Sequence, residues 1–288
     1  MFALSDCVAL HLYYCAVRYL SYYVVPYLSY CVERGLIPPK TPKVIPLADK
    51  ATQVNLLTMP LPNIAEKIRA YHGVRGQHDR DRSWEHCYGY FHRADAQAIK
   101  KDHDHAALQL GFYLASWGMY RGSSFLLQYA YTIHVGVVDC LAEAEFSPLW
   151  NPGFGSSSND TAHASLILDL CRGIKTVYQP FATALNKNVS DILLTKVVLG
   201  TSGCFPAWDT YFHEGYKHCG FIPPSRLTTA FIQGVLQFCF NHLADFQAEQ
   251  TRIEQAYGMR YPLMKLVDMY FHQIGLELDA AKPGSSKR

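Results

Sequence analysis

A lysine and an aspartate separated by 13 positions (209 − 196) are the side chains best placed to do chemistry. Lys196 lies in the apolar stretch Asp191–Gly200, and Asp209 follows Pro206 among aromatic residues. A lysine in apolar surroundings reaches back to water, pairs with a carboxylate, or loses enough proton affinity to act as a nucleophile. The pair therefore predicts either amine chemistry at Lys196, assisted by Asp209, or a structural ion pair.

The elements that would position these two side chains are a helix, a reversal and a second element. Ser190 is a candidate cap for the apolar helix that carries Lys196. Glycines at positions 200 and 203 predict the reversal, and Pro206 begins the segment that presents Asp209. A separation of 13 residues is short enough for this arrangement to bring the lysine and the aspartate together.

The order Thr195-Lys196-Val197, then Pro206-x-x-Asp209 followed by aromatic residues, resembles the helix-hairpin-helix DNA glycosylase superfamily. The resemblance covers residues 190–212. It implies a DNA-associated protein with base-excision chemistry, in which Lys196 attacks the sugar C1′ and Asp209 assists. The Gly-x-Gly hairpin that precedes the lysine in that superfamily is replaced here by Ser190-Asp191-Ile192-Leu193-Leu194.

A wider resemblance, within residues 80–275, is to a group of uncharacterised microbial and fungal hypothetical proteins. Three segments carry it, at residues 83–88, 114–127 and 199–209. It implies no activity of its own.

Substrate-binding candidates accompany the predicted lysine chemistry. Arg121, Ser123 and Ser124 follow a predicted helix and could form a phosphate clamp from hydroxyl, guanidinium and backbone N–H groups. The alternative is a helix break with serine caps and an arginine paired to a core acid. Trp117 and Trp208 are candidate stacking surfaces for an extruded base.

Two polar motifs suggest other chemistry. Asp102-His103-Asp104-His105 contains metal-ligand types, but adjacent side chains on a helix diverge, so we predict a polar helix start and no metal. A metal-dependent hydrolase would require a meeting of at least three residues from His86, His103, His105, His134 and Asp104. Glu85 with His86 suggests an acid–base pair or a solvated helix start. We predict no cofactor, since the sequence lacks GxGxxG, Walker, HExxH and GxSxG motifs.

The predicted fold is all-α, a single globular helical domain with an N-terminal Tyr-rich helical appendage. The sequence has no sustained alternation of polar and apolar residues, no hairpin signal and no internal repeat. The predicted helices span 63–72, 106–119, 133–144, 161–185, 225–257 and 261–278, with another that begins at Ser83. Asn63, Ser83 and Ser225 are expected caps, and 106–119 is expected to be the central core helix. Pro180 is expected to kink or end its helix. Residues 146–160 are a predicted loop. In the last helix, Lys265 and Asp268 stand three positions apart.

Four regions are predicted along the chain. Residues 1–36 form the apolar Tyr-rich helix, 37–62 a Pro-rich linker, 63–279 the helical domain and 280–288 a disordered tail. His11, Arg18 and Pro26 interrupt the N-terminal apolar run, which makes a membrane span unlikely in this sequence and favours packing against the core or a protein partner. A non-enzymatic α-helical interaction module, docking its partner through that helix, is the alternative function.

Composition limits the function classes. The 288 residues are 49% hydrophobic with a net charge of +2, so the chain has a large core but a weak field for binding DNA non-specifically. Its nine cysteines are scattered and contain no CxxC pair, which is typical of reduced thiols. The expected location is intracellular, cytoplasmic or nuclear, with DNA as the possible partner.

Overall fold

A computed structural model describes residues 61–73, 76, 78–93, 96–150 and 161–282 of the chain. These residues all belong to one compact unit that spans 57–288. The described part is all-α and contains no strand, which confirms the predicted fold class. The Tyr-rich segment 1–36 and most of the linker 37–62 and of the tail 280–288 lie outside the described residues.

The described residues form eleven α-helices. They are α1 Ile64–His72, α2 Arg82–Arg93, α3 Ala96–Lys101, α4 His103–Ser116, α5 Val135–Leu141, α6 Thr161–Ala184, α7 Asp191–Gly200, α8 Thr210–His218, α9 Thr229–Asn241, α10 Leu243–Tyr257 and α11 Leu263–Ala280. Short 3-10 helices occur at Phe125–Gln128, Tyr131–His134 and Ala144–Trp150. None of the described helices has the length and apolar character needed to cross a membrane.

Side-chain caps fix several helix starts as predicted. The side chain of Asn63 accepts a hydrogen bond from the N–H of Glu66 at the start of α1. Ser190 does the same for Leu193 at the start of α7. Each cap satisfies an N–H that has no partner inside its helix.

α11 is the centre of the core, because it is buried through most of its length. Its closest neighbour is α8, which it crosses at two glycines. A Cβ on Gly215 of α8 would lie 1.9 Å from the carbonyl oxygen of Phe271, and one on Gly275 would lie 2.0 Å from that of Tyr211. Only glycines permit these two backbones to approach so closely. The prediction of residues 106–119 as the central helix was wrong, since α4 exposes Leu108 and Phe112 to solvent.

Several predicted helix bounds differ from the structure. α4 runs from His103 to Ser116 rather than over 106–119, so the Asp-His motif lies in its first turn. Ser83 is not a cap: α2 begins one residue earlier, and the Ser83 hydroxyl donates to the Arg80 carbonyl. The helix predicted at 133–144 is a 3-10 turn followed by α5, and the predicted loop begins with another 3-10 helix. Pro180 lies inside α6, which continues to Ala184.

The long helix predicted to start at Ser225 is two helices. The N–H of Leu227 donates to the Asp191 carboxylate at 2.9 Å, which holds the chain extended before α9. Thr228 rather than Ser225 therefore caps α9, through the N–H of Phe231. His242 leaves helical geometry at φ −119°, ψ 25°, and separates α9 from α10. The contact at Leu227 comes from α7, so the local sequence around Ser225 does not contain it.

Candidate functional site

Lys196 lies on α7, whose residues 193–200 are all buried. The lysine is 5% exposed, and its Nζ donates to the carbonyl oxygen of Trp117 at 3.4 Å. The Trp117 ring lies 5.1 Å from the same Nζ, a cation–π distance. The ammonium is therefore removed from water and has only long polar contacts.

Asp209 is held by the turn that follows α7 and by the start of α8. Gly203 in this turn has φ +67°, a conformation that favours glycine. The Thr195 hydroxyl accepts the N–H of Trp208 at 2.9 Å, which fastens the returning segment to α7. As the cap of α8, Asp209 accepts with Oδ1 from the N–H groups of Tyr211 and Phe212, each at 3.1 Å. Its position is thus fixed by backbone as well as by charge.

The two predicted catalytic residues meet. Nζ of Lys196 lies 3.5 Å from Oδ2 of Asp209, and both side chains are largely buried. Both of the alternatives, amine chemistry and a structural ion pair, require this proximity. The distinction between them lies in what surrounds the pair.

α11 adds three polar side chains to the same place. Lys265, Asp268 and His272 stand at i, i+3 and i+7, so they share one face of this apolar helix. All three are buried and line a common cavity with Lys196 and Asp209. The spacing of Lys265 and Asp268 is visible in the sequence, but none of the three was predicted as a site residue. The available signal was a one-sided row of polar groups in an otherwise apolar helix.

Lys265 and Asp268 form a tight pair of their own. Nζ of Lys265 donates to Oδ2 of Asp268 at 2.8 Å, and Oδ1 of Asp268 accepts the N–H of Ala207 at 3.1 Å. The Lys265 ammonium also lies 5.0 Å from the Trp84 ring and 5.2 Å from the Tyr71 ring. Lys265 therefore has the short, multiple contacts of a structural lysine, which Lys196 does not have.

His272 contacts the opposite oxygen of Asp209. Its Nδ1 lies 3.5 Å from Oδ1 of that carboxylate. The edges or faces of Tyr71, Tyr211 and Trp117 surround the imidazole at centroid distances of 5.5, 5.0 and 6.2 Å. Asp209 is thus shared between an ammonium and an imidazole.

Burial and charge shift the pKa values in this cluster. Desolvation lowers the pKa of Lys196; Asp209 and Asp268 oppose this effect without cancelling it. Desolvation raises the pKa of Asp209, but His272, Lys196 and the Phe212 N–H outweigh it, so the net pKa is below its usual value. At neutral pH the site therefore combines an ionised carboxylate with a lysine that loses its proton more readily than an exposed one.

The cluster borders a small cavity and a larger cleft. The cavity is about 10 Å³, close to the minimum for one water molecule. Trp117 and His272 also line a cleft of about 300 Å³, together with Tyr71 and Arg80. The Arg80 guanidinium lies 5.1 Å from the Trp117 ring. Trp117 and His272, which line both spaces, therefore lie between the buried charges and the cleft.

The remaining predicted binding residues lie elsewhere. Trp208 is 8% exposed and packs against Phe231 at a ring distance of 4.8 Å, so it offers no free stacking face. Arg121 and Ser123 are exposed after α4, and Ser124 caps the first 3-10 helix through the N–H of Leu126. Neither the cavity nor the cleft is lined by these residues of the loop. Of the predicted binding residues, Trp117 is the one beside Lys196.

The alternative motifs do not converge on a second site. Glu85 pairs with Arg82 and accepts a hydrogen bond from the Tyr261 hydroxyl, whereas His86 faces a groove between α2 and α4. His134 is buried between the hydroxyls of Tyr120 and Tyr178 at 2.7 and 2.6 Å, and burial lowers its pKa to about 3. In the described ranges, no three His, Cys, Asp or Glu side chains are arranged to hold a metal ion.

Comparison with family models, curated proteins and solved structures found no match for this chain. Its function must therefore be inferred from the chemistry of its own residues.

Proposed function

We propose that this protein is a nucleic-acid-associated enzyme in which Lys196 is an amine nucleophile and Asp209 its electrostatic partner. One observation carries the proposal: a desolvated lysine with a lowered pKa lies 3.5 Å from an ionised carboxylate. Ionisable groups with perturbed pKa values around one cavity are enriched at catalytic sites. The resemblance of residues 190–212 to helix-hairpin-helix DNA glycosylases supplies the reaction class, which is base excision.

In the proposed reaction, neutral Nζ of Lys196 forms a bond to C1′ of a deoxyribose. The C1′–N bond to the base breaks, its electron pair leaves with the base, and the base takes up the proton that Nζ loses. Ring opening then moves the second Nζ proton to O4′ and leaves an imine, which water hydrolyses to restore the lysine. Asp209 stabilises the positive charge that develops at C1′ and Nζ.

Access to Lys196 requires movement of Trp117. The cavity beside Nζ holds no group larger than water, and the Trp117 ring stands between it and the cleft. The Arg121 side chain lies against Gly118, the residue after Trp117, because a Cβ on Gly118 would come within 2.8 Å of Arg121 Nε. The proposed phosphate-binding residues Arg121, Ser123 and Ser124 therefore follow directly after the Trp117 segment that must move.

Reductive trapping tests the proposed nucleophile. With DNA that carries an abasic site, Lys196 should form an imine that borohydride reduces to a stable covalent adduct. The Lys196→Met variant should lose the adduct, and Asp209→Asn should slow its formation. Lys175→Met removes an exposed lysine of α6 and is the matched control, which should trap like the wild type. Peptide mapping of the adduct identifies the modified lysine.

The second candidate is a non-enzymatic α-helical interaction module. A groove of about 750 Å³ between α2 and α4 favours it, because Phe112 is 60% exposed and Leu108 46% exposed in its wall. Arg93 and His86 also line the groove, so a segment with apolar and carboxylate side chains would fit there. This function predicts no adduct with damaged, mismatched or abasic DNA, and a Lys196→Met variant altered in stability alone.

A further inference from the structure

We infer that His272 is a positioning residue for the proposed lysine chemistry, because it shares the Asp209 carboxylate with Lys196. In this arrangement, one buried carboxylate supports one positive charge, which resides on the Lys196 ammonium or on the His272 imidazolium. When the imidazole carries the charge, Lys196 is the neutral amine that the reaction requires. The inference rests on the proposed function and assigns His272 as the residue that sets the protonation state of Lys196.

Asp209 contacts Lys196 and His272 at equal distances. Its two oxygens contact different partners, with Oδ2 3.5 Å from Lys196 Nζ and Oδ1 3.5 Å from His272 Nδ1. Neither contact is short enough to commit the carboxylate to one partner, since strong charge-assisted hydrogen bonds are about 2.8 Å. The backbone N–H groups of Tyr211 and Phe212 keep the carboxylate in place whichever partner is charged.

The neighbouring carboxylate, on Asp268, is already neutralised by Lys265. Asp268 is bound to Lys265 at 2.8 Å and accepts the N–H of Ala207, so its charge is balanced within α11 and the preceding turn. Removing a proton from Lys196 would leave Asp209 as a buried charge without a cation, which is strongly unfavourable. Protonation of His272 restores the balance without changing the net charge of the cluster.

His272 lies between the cavity and the cleft. The imidazole lines both spaces, so it can exchange a proton with solvent in the cleft while contacting Asp209. Titratable and charged groups face it from each packed element. They are Tyr71 of α1, Lys196 of α7, Asp209 and Tyr211 of α8, Lys265 and Asp268 of α11, and Asp79, Arg80 and Asp81 at the cleft.

The proton balance of the step is simple. The starting state contains Lys196 as ammonium and Asp209 as carboxylate. One proton leaves Nζ to solvent and one proton from solvent adds to the imidazole, so the product state contains a neutral amine and an imidazolium. No oxidant, reductant or further reactant is needed.

NMR titration of the full chain, with ¹³Cε-labelled lysine and ¹³Cε1-labelled histidine, tests the shared charge. The Lys196 and His272 signals are assigned by their loss in Lys196→Met and His272→Gln. In the wild type, both signals should show the same two apparent pKa values, as coupled groups do. In His272→Gln, the Lys196 midpoint should rise by about one unit or more, because its counter-ion is no longer shared.

The control is His213→Asn, which removes a half-exposed histidine of α8 whose imidazole contacts the Glu214 carboxylate. It should leave the Lys196 midpoint unchanged. Independent titration of Lys196 and His272 in the wild type would overturn the inference. An unchanged midpoint in a folded His272→Gln protein would overturn it as well.

Trapping separates this inference from the proposed function. His272→Gln should yield less adduct at pH 7 and shift the pH dependence of trapping upward, with recovery at higher pH. If the wild type forms no adduct while the two titrations are coupled, the lysine chemistry fails and the shared charge stands. If the adduct forms while the titrations are independent, the lysine chemistry stands and His272 has no part in it.

Discussion

Two buried lysines face the same tryptophan, but their surroundings differ. Lys265 has a 2.8 Å partner in Asp268 and three aromatic rings within 6 Å of its ammonium. Lys196 has contacts of 3.4 and 3.5 Å. A desolvated ammonium without short hydrogen bonds gains little from being charged, whereas a tightly paired one gains much. Lys196 is therefore suited to chemistry, and Lys265 to holding α11 in place.

This difference predicts unequal stability costs. Lys265→Met should destabilise the fold by roughly 3–5 kcal/mol, because it leaves the buried Asp268 without its cation. The double variant Lys265→Met/Asp268→Asn should recover most of that loss, since the asparagine oxygen can still accept the Ala207 N–H. Lys196→Met should cost clearly less than Lys265→Met. Urea unfolding of the wild type and these three variants gives the comparison.

Equal costs for the two lysines would show that Lys196 is also a structural partner. That result would weaken the assignment of chemistry to Lys196 even if both variants remained folded.

Residue types and short spacing were sufficient to predict that Lys196 and Asp209 lie close together, because a single turn joins their elements. Lys265, Asp268 and His272 come from more than 50 positions further along the chain, and no local pattern in α7 or α8 indicates that α11 packs there. Trp208 was expected to be a stacking surface, but packing against Phe231 determined its orientation. Contacts between residues distant in the sequence therefore determine which α11 side chains reach the site and how Trp208 is oriented.

At the scale of elements, the crossing of α8 and α11 positions the site. α8 presents Asp209 at its start, and α11 presents His272 one turn before Gly275. The helices approach so closely that Cβ atoms on Gly215 or Gly275 would overlap backbone oxygens of the other helix. Hydrophobic patterning predicted α11, but it left α8 as an unspecified second element and did not predict that the glycines of the two helices meet. The distance from Asp209 to His272 therefore depends on two residues that contain no functional group.

Gly275→Ala should push α8 and α11 apart and lower the melting temperature strongly, with a cost of several kcal/mol expected from overpacking against backbone. It should also remove any borohydride adduct, because the Asp209 contacts are lost. Gly234→Ala on α9 is the matched control: its Cβ would lie 3.6 Å from the Tyr216 hydroxyl, an ordinary contact. That variant should be neutral or slightly stabilised by helix propensity. A Gly275→Ala protein that melts like the wild type would show that the two helices can separate at little cost.

At the scale of the whole molecule, buried carboxylates link helices that are distant in the sequence. Glu249 of α10 accepts hydrogen bonds from Arg69 of α1 at 2.9 Å and Arg252 at 2.6 Å. Burial raises the pKa of Glu249, but the two arginines outweigh it and the net pKa is lowered. Asp209, which links α7, α8 and α11, has a lowered pKa as well. Each of these two buried carboxylates is thus paired with a cation from another helix.

These shifts predict a loss of stability in acid. A carboxyl whose folded pKa is lowered contributes its full stabilisation above its unfolded pKa, about 4, and loses it as the pH falls through the folded value. Glu249→Gln should therefore cost about 2 kcal/mol at pH 7, in line with hydrogen bonds to a charged group, and its difference from the wild type should shrink below about pH 4. Thermal melts between pH 7 and pH 3 measure this. Glu254→Gln removes an exposed carboxylate of the same helix, paired with Arg260, and should cost less than about 1 kcal/mol at pH 7. A Glu249→Gln deficit that stays constant down to pH 3 would show that the two arginines do not stabilise the ionised form.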